Sequence, residues 1–113
     1  KRSEDAQTGE LFKDWGIPTP YALKTLSSYN NFTLIASGGV RNGLDMAKSI
    51  ILGASLCGLA RPFLKPAQES VEAIQHVIQQ LKKEFKIALF LLGISTVKDL
   101  IHREDLILYE DRN

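Results

Sequence analysis

Two short segments carry residue types that can hold a phosphate group. The first is Ser37-Gly38-Gly39-Val40-Arg41-Asn42-Gly43, where glycines let backbone N–H groups come close to an anion and Arg41 adds a cation with a planar fork. Alone, a Gly-Gly turn of this sort reads equally well as a structural turn with a solvated arginine. The second segment, Gly58-Leu59-Ala60-Arg61-Pro62, comes one structural unit later and sets small residues beside another arginine. If the two segments close neighbouring strands, they offer donors to one spot. That convergence is what makes phosphate binding the stronger reading.

Hydrophobic spacing identifies the elements that would position them. Phe32-Thr33-Leu34-Ile35-Ala36-Ser37 is a compact run with β-branched and aromatic members that stops at Gly38-Gly39, the pattern of a strand buried on both faces. Leu44, Ala47, Ile50 and Ile51 recur at helical spacing with Gly53 as a C-terminal stop, which predicts an amphipathic helix over residues 43–52. Residues 54–60 repeat the strand signature and end at Arg61-Pro62, where proline cannot donate to a ladder. Strands are therefore expected at 33–37 and 55–60, parallel and adjacent, joined by a right-handed crossover.

Residues 1–13 are polar and show neither period, which reads as a surface segment leading into Asp14-Trp15-Gly16-Ile17-Pro18-Thr19-Pro20. Thr19 can cap a helix whose first position is Pro20, with Ala22, Leu23 and Leu26 as its apolar stripe and an end near Tyr29-Asn30-Asn31. Ser70 opens the longest periodic segment. Ile74, Val77, Ile78, Leu81, Phe85, Ala88, Leu89 and Leu92 share one face, expected to cover the strands, and Gln75, Gln79, Lys82, Lys83 and Lys86 lie opposite, up to a stop at Gly93. Thr96-Val97-Lys98-Asp99 has the form of a capping box, with Asp in place of Glu, before a short helix through Ile101. Leu106-Ile107-Leu108-Tyr109 reads as a last extended segment.

Helices alternating with apolar strands imply an α/β architecture, yet two parallel strands cannot bury both faces of a sheet that normally has more members. A chain that also begins without Met is expected to be a piece of something longer. In (β/α)₈ barrels the loops after the seventh and eighth strands form a recurrent phosphate site. Residues 1–113 therefore read as the C-terminal portion of one TIM (β/α)₈ barrel domain, about the last two βα units plus the preceding helix.

Composition excludes several function classes. With 44% hydrophobic and 24% charged residues the chain is not of the disordered kind, and a formal charge of +1 lacks the basic excess of a nucleic-acid surface. No stretch reaches the ~18 apolar residues of a membrane span, and Lys1-Arg2-Ser3-Glu4-Asp5 lacks the apolar region of a signal peptide. The single Cys57 lies in an apolar run and reads as a buried reduced thiol, which fits a cytoplasmic home. His76 and His102 read as partly exposed helix residues, and Trp15 as a packing anchor under the Pro18-Thr19-Pro20 corner. Lys82, Lys83 and Lys86 form a solvated face or meet a neighbouring subunit. No residue of this chain is assigned a metal.

Taken together, Asp14-Trp15-Gly16-Ile17-Pro18-Thr19, the run Ala36 through Lys48, Leu52-Gly53-Ala54 and Leu59-Ala60-Arg61-Pro62-Phe63-Leu64 resemble the FMN-dependent type 2 isopentenyl-diphosphate isomerases. The resemblance continues through Glu84-Phe85-Lys86 and Leu92-Gly93 to Thr96-Val97, nearly the whole chain. It implies an enzyme of isoprenoid biosynthesis that interconverts isopentenyl and dimethylallyl diphosphate with reduced FMN as acid/base catalyst, Mg²⁺, and NAD(P)H to reduce the flavin. It also implies a small-molecule diphosphate substrate and a homo-oligomer, tetramer or octamer. Gly39, Val40 and Arg41 match the first group that holds the FMN phosphate, and Ala60 with Arg61 the second, with the backbone N–H of Arg61 as the contact. The family's catalytic, Mg²⁺-binding and substrate-binding residues are expected upstream of Lys1, so this chain alone is expected to be inactive. The FMN-dependent 2-hydroxy acid oxidases share a Gly-Gly-Val-Arg turn and a closing Arg-Pro, but their turn usually follows an aspartate where Ser37 stands here. IMP-dehydrogenase-like barrels are more distant, and a non-catalytic barrel fragment that acts only by association is the remaining alternative.

Overall fold

The computed structural model describes residues 6–29 and 31–107. Its centre is a two-stranded parallel sheet in which β1 (Ile35–Ser37) pairs with β2 (Leu56–Gly58), with Ile35 opposite Leu56, Ala36 opposite Cys57 and Ser37 opposite Gly58. Between them runs helix α3 (Gly43–Ile51), so the expected strand–turn–helix–strand unit is present, with each strand shorter than the apolar run that announced it. Burial is one-sided. Ala36 is buried and Cys57 half-buried, whereas Ile35 and Leu56 are 60% and 59% exposed, so the strands are not covered on both faces within this chain.

Helix α1 (Ala6–Leu11) lies where the sequence shows no period. Each of its residues is exposed, and a helix that buries no face leaves no apolar stripe to read. Helix α2 (Thr19–Leu26) is entered through Pro18, with Thr19 as its first residue and no side-chain cap, so Thr19 is not the cap that the sequence suggests. Leu23 turns into a small core with Ala36, Val40 and Ala54. Trp15 does not anchor the proline corner, being 81% exposed and meeting the Phe12 ring edge-on at 6.0 Å.

Arg61–Glu69 form α4, with Pro62 in its first turn, where a missing N–H costs nothing. Ser70 ends α4 and caps α5 (Val71–Leu92), its Oγ accepting from the Ala73 N–H at 3.0 Å. The expected stop at Gly93 is observed. The apolar face of α5 covers α3 and α4 rather than the strands, because α3 already occupies the buried side of the sheet. Ala47, Ile50 and Ile51 of α3 meet Phe85, Ala88, Leu89 and Leu92 of α5, while Lys82, Lys83 and Lys86 face outward.

Leu100 completes this core, fully buried. Residues 96–102 form bends and turns in place of the expected short helix, although the Asp99 N–H does donate to Thr96 Oγ1 at 3.3 Å. His102 lies in this turn region and is exposed, and His76 is exposed on α5. Leu106 belongs to a 3₁₀ turn (Glu104–Leu106) and Ile107 is extended, while Leu108 and Tyr109 lie outside the described residues. Burial pushes the Cys57 thiol up, outweighing the opposite effect of a hydrogen bond with Ser49, and keeps it a neutral thiol.

Candidate functional site

Parallel strands that share a register end on the same side, so the segments after β1 and β2 come together. Ser37, Gly38, Gly39, Val40 and Arg41 line one wall of a pocket of about 330 Å³, and Gly58, Ala60 and Arg61 line the other. All five residues singled out from the sequence, Gly39, Val40, Arg41, Ala60 and Arg61, thus border a single concavity.

They border it in different ways. Gly38 and Gly39 have φ of 93° and 79°, the left-handed region that L side chains rarely adopt, and this sharp reversal brings the backbone to the pocket wall. An added Cβ on Gly39 would meet nothing within 4 Å, so the space beside it is open. Val40 sends its side chain into the core with Leu23 and Ala36, which leaves its backbone for the pocket. Arg41 and Arg61 are exposed, and neither guanidinium makes an ion pair among the described residues.

The amino end of α3 is already occupied by the protein's own side chains. Asn42 Oδ1 accepts from the Asp45 N–H at 2.7 Å, and Asp45 Oδ2 accepts from the Arg41 N–H at 3.1 Å. Glu84, reaching across from α5, accepts the Gly43 N–H at 2.7 Å, and Gln80 donates to its other oxygen at 3.0 Å. The bond from Gly43 holds the Glu84 carboxyl below its ordinary value, with a smaller contribution from Gln80. The N–H groups of Gly39 and Val40 make no hydrogen bond among the described residues and are open to a ligand.

Across the pocket, α4 begins without a side-chain cap at Ala60, so its first N–H groups have no protein side chain over them. Two unpartnered N–H groups on one wall, an uncapped helix start on the other and a guanidinium on each side suit a phosphate monoester. Among the described residues no group of three His, Cys, Asp or Glu side chains could hold a metal ion.

Two supports escaped the sequence reading. Thr19 Oγ1 donates to the Gly38 carbonyl at 2.8 Å, bracing the turn from α2, and Glu84 braces it from α5. These partners lie 19 and 41 residues from their targets, and no periodicity signals such a pairing.

Comparison with known proteins gives the chain a family. A profile of FMN-dependent dehydrogenases matches residues 17–107, a span that includes both pocket walls and both supports. The chain belongs to the FMN-dependent dehydrogenase family. Within that family, this member is 48% identical over 107 residues to an isopentenyl-diphosphate delta-isomerase of Hydrogenovibrio crunogenus, covering 94% of the chain and 31% of the relative. An enzyme of the same name from Paracoccus zeaxanthinifaciens is 46% identical over 112 residues, covering 95% of the chain and 32% of the relative. The one from Thermoplasma volcanium is 47% identical over 98 residues, covering 87% and 28%. This FMN-dependent dehydrogenase family chain therefore spans about a third of the length of the curated relatives it matches.

Proposed function

We propose that the chain is the C-terminal, cofactor-phosphate end of an FMN-dependent isomerase that interconverts isopentenyl diphosphate and dimethylallyl diphosphate. The observation that carries this reading is the single pocket shared by the Gly38–Val40 turn and the Ala60-Arg61 step, in a chain whose relatives at 46–48% identity bear that enzyme's name. In this reading residues 1–113 belong to one (β/α)₈ barrel. The exposed Ile35 and Leu56 then face the rest of the barrel interior, and β1 and β2 are its last two strands.

Gly39 and Val40 would hold the FMN phosphate through backbone N–H groups, Arg41 through its guanidinium, and Ala60 with Arg61 through the start of α4. When bound and reduced, the flavin supplies the acid/base chemistry that moves the double bond. This chain's own residues anchor and orient the cofactor's phosphate and lie away from the reacting carbons. The full enzyme would use Mg²⁺ and NAD(P)H, work in the cytoplasm and assemble as a homo-oligomer. Among the described residues no helix is long and apolar enough to cross a membrane.

The 2-hydroxy acid oxidases share the turn and the closing Arg-Pro, so the test must separate the two chemistries. The whole polypeptide, loaded with FMN and reduced, is expected to convert isopentenyl diphosphate to dimethylallyl diphosphate by product analysis. Bleaching of its oxidised flavin by small 2-hydroxy acids, with no diphosphate isomerisation, would overturn the assignment. Residues 1–113 alone are expected to show no turnover in either assay.

A further inference from the structure

Glu84 lies on α5, outside the pocket, yet its carboxylate takes the Gly43 N–H at the first residue of α3. The approach is close by design of the sequence. A Cβ on Gly43 would stand 2.5 Å from Glu84 Cβ and closer still to the Phe85 backbone nitrogen, so only glycine lets the two helices meet here. Gln80, one turn back on α5, holds the second carboxylate oxygen at 3.0 Å and fixes the rotamer. Gly43 follows directly on the turn that carries Gly39, Val40 and Arg41, and the far end of that turn is tied by Thr19 to α2.

Resting on the cofactor assignment above, we propose that Glu84 is a positioning residue for the flavin phosphate, pinning the start of α3 to α5 so that the Gly39 and Val40 N–H groups stay aimed at the pocket. The carboxylate also takes the Gly43 N–H, so that this donor does not compete with the turn for the anion. An aliphatic residue at this position leaves α5 free to pack but leaves Gly43 untied. The effect of Glu84 is therefore on the phosphate and not on the isoalloxazine ring, and FMN and riboflavin distinguish the two.

The flavin-free whole polypeptide is titrated with FMN and with riboflavin, which lacks the phosphate, for the parent, Glu84→Gln and Glu84→Ala. Loss of a charge-assisted bond predicts FMN binding weakened about tenfold in Glu84→Ala and about threefold in Glu84→Gln, with riboflavin affinity within about twofold of the parent in both. The phosphorus resonance of bound FMN is expected to shift in Glu84→Gln. FMN affinity changed by less than about twofold in both variants, or equal losses for FMN and riboflavin, overturns the role of Glu84 while leaving the flavoprotein reading intact. A parent that binds neither flavin overturns both. If Glu84→Ala does not fold, the isosteric Glu84→Gln decides by the same two affinities.

Discussion

The two strand ends that meet at the pocket are built on opposite plans. After β1, the turn is held by side chains from three helices: Thr19 of α2 on the Gly38 carbonyl, Asp45 of α3 on the Arg41 N–H, and Glu84 of α5 on the Gly43 N–H. After β2, the chain enters α4 without a side-chain cap, and Pro62 sets the first turn through its own ring. A left-handed Gly-Gly reversal has many alternative conformations in the free chain and needs ties to hold one of them. A proline at a helix start is restricted already. One wall of the pocket is therefore fixed by tertiary contacts and the other by local stereochemistry, so damage to the first should spread further.

The largest expected effect is at the junction of α3 and α5. Gly43→Val places atoms where Glu84 and Phe85 stand, and overpacking there is expected to destabilise the whole polypeptide by about 3 kcal/mol, read from the denaturant midpoint. No glycine of the β2 end is expected to be as sensitive, since a Cβ on Gly58 meets Ser37 Oγ at an ordinary 3.5 Å. If Gly58→Ala proves the costlier change, the contrast between the walls is lost.

Next comes Arg41→Ala, which under the proposed function would remove a charge-assisted contact of about 1.5–3 kcal/mol and is expected to weaken FMN binding roughly ten- to two-hundredfold, with stability nearly unchanged. Flavin fluorescence during titration of the apoprotein reads the affinity. An unaltered affinity in a folded variant places the phosphate elsewhere. Asn42→Ala removes the cap of α3 and is expected to cost about 1 kcal/mol of stability, whereas Ala60, which caps nothing, is expected to tolerate Ser without loss. The smallest effect is expected for Arg61→Ala. If its contact runs through the backbone N–H, FMN affinity falls by about threefold or less. A loss matching that of Arg41→Ala would show that the second wall contributes a cation as well as a helix start.

By itself the sequence determined the strand–turn–helix–strand order, the parallel sense of the strands, the opening of the long helix at Ser70, its stop at Gly93 and the candidate residues after each strand. Each of these follows from local stereochemistry or from spacing within one element, and both are written in consecutive residues. Tertiary structure decided the partners. Spacing showed that α5 has an apolar face, but whether that face meets strands or α3 depends on which element covers the sheet. Thr19 is a good helix cap by residue type, yet its hydroxyl goes to Gly38, because the turn after β1 comes within hydrogen-bond reach of it. Trp15 reads as an anchor, but a large ring is buried only where another part of the molecule supplies a wall, and among the described residues it meets Phe12 edge-on and remains exposed. The bond from Gly43 to Glu84 spans 41 residues and exists because two helices cross at a glycine. A periodicity records which side of an element is apolar and carries no information about what lies across from it.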